Sequence, residues 1–260
     1  MLERWEWDEK ARQAVRDEGR ALVDVGTWDE STVIERDDLL SRARTKGEKL
    51  HYGALMSICS VKFWEKSAEF HKHKGRICFR GDNVKDEHGA VAVFQEMSAT
   101  PTTIQSANSN LAYGCLPGHK TTQADAVRAY VQAVLKGVYP TWVQVPRELW
   151  PDHWKDTYTR PMCRLHKALY GHPESGGHWE RHLNAKVKAC GGEPIEEHPS
   201  SFWFGDLKML LTVYVDDLLL SGPEENHDKI WQRLQTGENP IKLDPPEPLD
   251  RFLGRTHVAL

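Results

Sequence analysis

Two adjacent aspartates, Asp216 and Asp217, interrupt the most apolar stretch of the chain, which runs from Met209 to Leu220. Side-by-side carboxylates within strand-like sequence are costly to strip of water, and like charges this close repel. A divalent cation removes both difficulties. Mg²⁺ prefers oxygen ligands and is held by one or two carboxylates together with substrate phosphates. Two such ions, roughly 4 Å apart, can activate an attacking hydroxyl and stabilise a departing oxygen in phosphoryl transfer. That chemistry asks for another carboxylate from elsewhere in the chain. Asp125 fits, because it closes a strand-like TTQAD segment and precedes a helix-like run. Its plainer reading is a helix cap, and the plainer reading of Asp216-Asp217 is an Asp-rich turn.

The elements that must position these carboxylates are legible to different degrees. Apolar runs on either side of Asp216-Asp217, closed by Ser221-Gly222-Pro223, predict a β-hairpin whose turn holds both aspartates. Residues 121–125 predict a short strand and residues 126–136 a helix stopped by Gly137. A second helix is expected over about 175–190, with Trp179, Leu183, Val187 and Cys190 on one stripe and Gly191-Gly192 at its end. Residues 226–236 predict a helix capped by Asn226, residues 237–248 a loop, and residues 252–258 a strand. Nearer the start, residues 8–24 have helical spacing. Residues 53–63 fit either a strand or a buried helix. Residues 76–80 alternate, so Arg76, Cys78 and Arg80 share one strand face and Ile77 and Phe79 the other. A turn is expected over 81–90 and a helix after Pro101.

Composition narrows the function classes. The 260 residues are 39% hydrophobic and 28% charged, an ordinary globular balance. A formal net charge of −4 excludes a chain that is basic all over, so any nucleic-acid contact must come from a local basic surface. The five cysteines include no CxxC pair, which argues against a disulfide framework or a cysteine zinc site. His178 and His182 lie one helical turn apart, a spacing that suits a metal, but their ordinary role is a helix surface. No apolar segment reaches the roughly 20 residues of a membrane span, and the charged start resembles no signal peptide. The expected location is therefore intracellular, not secreted, with no membrane partner.

Six ordered motifs resemble those of Ty/copia-type retrotransposon reverse transcriptases. Tyr214-Val215-Asp216-Asp217 with Leu218-Leu219-Leu220-Ser221-Gly222 resembles their YVDD box. Gln123-Ala124-Asp125 with Ala129-Tyr130 resembles their first carboxylate motif. Lys74-Gly75-Arg76 through Arg80-Gly81-Asp82 resembles a fingers strand. Cys163-Arg164-Leu165-His166-Lys167-Ala168-Leu169-Tyr170-Gly171, followed by Trp179, resembles their C-x-L-x-K-x-L-Y-G…W segment. Phe252-Leu253-Gly254 resembles the opening of the primer grip, and Gly26-Thr27-Trp28 an upstream T-W signature.

The resemblance implies an α+β right-hand polymerase core with the thumb missing. Fingers would span about 30–116 and 140–172. The palm, an antiparallel sheet backed by helices, would span about 117–139 and 173–260. It implies RNA-directed DNA polymerisation, with Asp125, Asp216 and Asp217 catalytic and holding two Mg²⁺ ions, for which Mn²⁺ can substitute. Arg76, Arg80, Lys74, Tyr130 and Glu174 would meet the nucleotide, Tyr130 as an aromatic gate against a 2′-hydroxyl. Phe252, Leu253 and Gly254 would form the primer grip. Implied partners are an RNA or DNA template with primer, deoxynucleoside triphosphates, and the RNase H and integrase domains of a full element. Neither of those domains, nor a protease, is expected in this chain. The implied compartment is the cytoplasm, in a virus-like particle, or the nucleus. The chain departs from the family pattern at Glu174 (usually glutamine), Gly176 (usually proline) and Arg128 (usually lysine). An inactive relic of such a domain is the alternative reading.

Overall fold

The computed structural model describes residues 8–94 and 100–257. It is an α+β chain, with six α-helices and several β-sheets among the described residues. The chain divides into two compact units, Met1–Met97 with Ala133–His178, and Ser98–Gln132 with Trp179–Leu260. The crossings fall elsewhere than the sequence-based boundaries. Residues 98–116 belong with the hairpin unit, because the helix Ile104–Gly114 packs Ala107 against Leu219 and Phe252. Residues 133–139 and 173–178 go with the other unit.

In the first unit a sheet runs in the order Trp28–Glu35, Pro161–Leu165, Thr141–Gln144, His51–Lys62 and Lys72–Phe79. Only Thr141–Gln144 against His51–Lys62 is parallel. The ambiguous segment 53–63 is thus a strand. Ile77 and Phe79 are buried and Arg76 and Arg80 exposed, as the alternation requires. Arg80 itself lies just past the strand end. The helix Glu9–Asp24 starts at Asp8, whose carboxylate accepts the Ala11 N–H at 2.8 Å. It packs on the strand Lys72–Phe79, where Gly75 permits the approach, since a Cβ there would collide with the Ala14 carbonyl.

The second unit is built on an antiparallel sheet ordered Glu247–Pro248, His119–Asp125, Asp217–Pro223, Met209–Tyr214, Ser201–Phe204 and Glu193–Pro194. Alternation sorts its two faces. Leu211, Val213, Leu218, Leu220 and Ala124 join Trp179, Leu183, Val187, Ile230, Trp231 and Leu234 of two helices in one core. Leu219 turns to the other face, toward Ala107 and Phe252.

Four local expectations are corrected. The helix over 126–136 is a single turn, Ala129–Gln132. The N–H groups of Ala126 and Val127 are taken by the carbonyls of Asp216 and Lys242, and Arg128 has φ 50°. The hairpin turn holds Val215 and Asp216 only, while Asp217 is the first residue of the returning strand. Asn226 caps nothing. It ends a 3₁₀ turn with helical backbone, whereas a cap needs an extended one, and its amide donates to the Leu207 carbonyl. Residues 252–257 form no continuous strand. Arg251–Phe252 and Arg255–Thr256 pair across Leu253 (φ 48°) and Gly254 (φ 74°), the two left-handed residues of a tight hairpin turn. Residue 258 lies outside the described residues.

Candidate active site

Strand register brings the carboxylates together. Asp125, last residue of its strand, is the direct antiparallel partner of Asp217. Asp217 also faces Tyr214 on its other side, across the turn that carries Asp216. The backbone locks this corner. The Ala126 N–H donates to the Asp216 carbonyl at 2.7 Å, and the Asp244 N–H to the Asp125 carbonyl at 2.8 Å. Val215 takes the left-handed conformation (φ 57°) at the turn, and its carbonyl accepts the Trp179 indole N–H at 2.7 Å. A buried helix side chain thereby holds the turn from the core side.

Electrostatics show what the register costs. Burial pushes the Asp217 carboxyl up to about 6, helped by the charges of Asp216 and Asp125 and by its hydrogen bond with Asp125. Asp125 is raised too, by lost hydration first, then by the negative charges of Asp216, Asp244 and Glu247. The hydrogen bond from Asp217 works the other way on Asp125. A proton shared between the two carboxyls, or a cation beside them, would relieve the same repulsion. The donor set is all oxygen, which suits Mg²⁺ held through one or two carboxylates. Among the described residues, however, no group of three or more His, Cys, Asp or Glu side chains closes on one point as a metal cage. The same holds for His178 and His182, which gain no third ligand.

Tyr130 sits half-buried in the one-turn helix and packs on the main core. Its phenol is pushed up by burial and then by Asp216 and Tyr214, so it shares the electrostatic surroundings of the turn. Phe252 is buried beneath the hairpin with Leu219, with Leu253 packed beside them and Gly254 exposed. The remaining expected site residues, Lys74, Arg76, Arg80 and Glu174, belong to the first unit. Lys74 and Arg76 are exposed on their strand. Arg80 is engaged by Asp82 at 2.9 Å. Glu174 is buried.

Two positioning roles escaped the sequence reading. Asn110 is fully buried, and its amide donates to the Leu210 carbonyl, the Thr212 hydroxyl and the Leu219 carbonyl, bracing both hairpin strands. Gln123 ties Glu247 and the Asp250 N–H to the strand bearing Asp125. Nothing in local sequence marks Asn110, and Gln123 stands out there only as part of the first carboxylate motif, because the partners of both are distant in the chain. No protein-family model and no curated protein matches the chain.

Proposed function

We propose that this chain is the nucleotidyl-transfer core of a copia-type reverse transcriptase, with fingers in the first unit and palm in the second. The observation that carries the reading is the pairing of Asp125 with Asp217 beside the Asp216 turn, which leaves an acidic corner with a carboxyl held up to about 6. Asp125, Asp216 and Asp217 would hold Mg²⁺, which when bound supplies charge neutralisation at the reacting phosphate and its leaving group. The protein's own part is positioning. Trp179 fixes the turn through the Val215 carbonyl. Asn110 keeps the two hairpin strands in register. Tyr130 presents its ring near Asp216 and excludes a 2′-hydroxyl. Arg76, exposed on its strand, is the phosphate contact that the resemblance implies.

Primer extension on an RNA template with Mg²⁺ and deoxynucleotides tests this. Asp216→Asn is expected to lower incorporation by about 10³-fold, the scale of losing a charge-stabilising group, with the circular-dichroism spectrum unchanged. Full incorporation by the variant would remove Asp216 from the site. A second reading, a folded but inactive domain, is favoured by Glu174, a buried acid where the family pattern has glutamine. Absence of extension by the parent chain with either Mg²⁺ or Mn²⁺ would select it.

A further inference from the structure

A second feature stands at the tip of the hairpin formed by the strands His51–Lys62 and Lys72–Phe79, wholly within the first unit. Every residue from Lys62 to Lys72 is exposed. Three of them are large aromatics: Trp64 is 74% exposed, Phe70 56% and Phe63 46%. Aromatic rings gathered on one small surface mark a contact site. The tip is held by its own hydrogen bonds. The Lys66 N–H donates to the Phe63 carbonyl and the Phe70 N–H to the Ser67 carbonyl, both at 2.9 Å. The His71 ring lies 3.1 Å from the Trp64 carbonyl and 3.0 Å from that of Lys66. Phe63 takes a left-handed φ of 59°, rare for a bulky residue.

The charges of the tip are ordered. Lys62 and Lys72 are direct partners across the strand pair, a like-charge juxtaposition that calls for acids nearby. Read inward from either strand, the pattern is lysine, two rings, glutamate: Lys62-Phe63-Trp64-Glu65 and Lys72-His71-Phe70-Glu69. No ion pair among the described residues engages these two lysines or these two glutamates. Because the lysine-to-glutamate interval is the same on both sides, two such tips laid side by side in opposite directions complement each other. At one overlap the glutamates of each copy come level with the lysines of the other, and the rings lie between them. A patch that complements itself suits an isologous contact about a two-fold axis. Other occupants fit less well. An anionic lipid or nucleic-acid surface would meet Glu65 and Glu69, whose charge it repels. The hydrocarbon of a bilayer would meet the polar run between them.

We propose that the tip is a self-association surface on which a second copy of this chain docks in antiparallel orientation. Trp64, Phe63 and Phe70 form the centre of the contact, and Glu65 and Glu69 of each copy pair with Lys62 and Lys72 of the other. The patch is smaller than the roughly 20–30 residues a side of a stable interface. The dimer is therefore weak, with a Kd on the order of 10–100 µM. The surface is separate from the aspartate corner, and the proposal stands without the polymerase reading.

Sedimentation of the full chain from about 5 to 500 µM, a range that brackets this Kd, tests it. The parent is expected to pass from the mass of one chain to that of two. Trp64→Ser should weaken association about 30-fold or more, the scale of a central tryptophan in an interface, with the circular-dichroism spectrum unchanged. The double variant Lys62→Glu with Lys72→Glu should stay monomeric alone, and so should Glu65→Lys with Glu69→Lys, because like charges then face each other. Mixed in equal amounts, the two double variants should form a heterodimer. Asp216→Asn should dimerise as the parent does, which keeps this test distinct from primer extension. A parent of single-chain mass at the top of the range overturns the proposal. So does a dimer that survives Trp64→Ser, or a mixture of the two double variants that stays monomeric. Parent monomers that bind a single-stranded oligonucleotide or phosphatidylserine vesicles, and lose that binding in Trp64→Ser, would assign the tip to a polyanion and overturn the proposal as well.

Discussion

Replacing Asp217 with asparagine should stabilise the protein, and only above mildly acidic pH. The parent carboxyl is held up to about 6 by burial, by Asp216 and by Asp125. An unfolded chain releases that proton near pH 4. As pH rises from about 4 to 6 the unfolded state loses the proton first, so the fold loses stability through that window. Two units of displacement correspond to about 3 kcal/mol at 1.36 kcal/mol each. Asp217 is only half-buried, so solvent screening reduces this to about 1–2 kcal/mol. Asparagine removes the charge and keeps a donor for Asp125. Thermal unfolding of Asp217→Asn in EDTA should show Tm about 3–6 °C above the parent at pH 7.5, and no gain at pH 4. An equal Tm at pH 7.5, or the same gain at both pH values, would refute the electrostatic account of the corner.

Other outcomes follow from the same geometry. Mg²⁺ should raise the parent's Tm at pH 7.5 and leave Asp217→Asn nearly unchanged in differential scanning calorimetry, because the ion acts on the charge the variant lacks. Asn110→Ala should cost about 2–3 kcal/mol in urea unfolding, since it strands the Leu210 and Leu219 carbonyls it now satisfies. Gly114→Ala should cost about 1–3 kcal/mol, because a Cβ there would collide with the Thr121 hydroxyl, itself bonded to Ser221. His172 is pushed down to about 3 by burial and by His178 and His51, so it opposes folding increasingly as pH falls below 6.5. Between pH 6.5 and 4.5 the parent should lose about 2 kcal/mol relative to His172→Phe, which keeps a ring between Phe79 and Phe94.

Local pattern carried the parts of the fold that depend on local pattern. The hairpin at 209–223, the helix Ser175–Ala189 and the face-sorting of the strand Lys72–Phe79 were readable because burial alternates with period 2 or recurs with period 3.6. Residues 126–136 misled for a definite reason. Their propensity is helical, yet Ala126 and Val127 donate to Asp216 and Lys242, partners far away in sequence. Leu253-Gly254 misled because the left-handed φ of a leucine leaves no compositional trace. At the site, sequence could nominate Asp125, Asp216 and Asp217, but not that Asp217 belongs to the ladder and Asp216 to the turn. That one-residue difference is a matter of register, which cross-strand pairing alone settles.

The two faces of the second unit's antiparallel sheet explain how such a corner persists. Leu211, Leu218 and Leu220 are fully buried and Val213 nearly so, all on the face away from Asp217. Each buried aliphatic side chain stabilises by about 1.5–3 kcal/mol, so any one of them matches the roughly 1–2 kcal/mol that burial and neighbouring charge together cost the Asp217 carboxylate. Because side chains alternate, this apolar anchorage fixes the same strands whose opposite face holds the acids. Slipping the register by one residue to separate Asp125 from Asp217 would turn the leucines off the core. The repulsion is therefore imposed on the carboxylates by hydrophobic packing and cannot relax by strand sliding. It can be relieved only by a proton, a cation or the loss of a charge, and the Asp217→Asn and Mg²⁺ measurements separate these three.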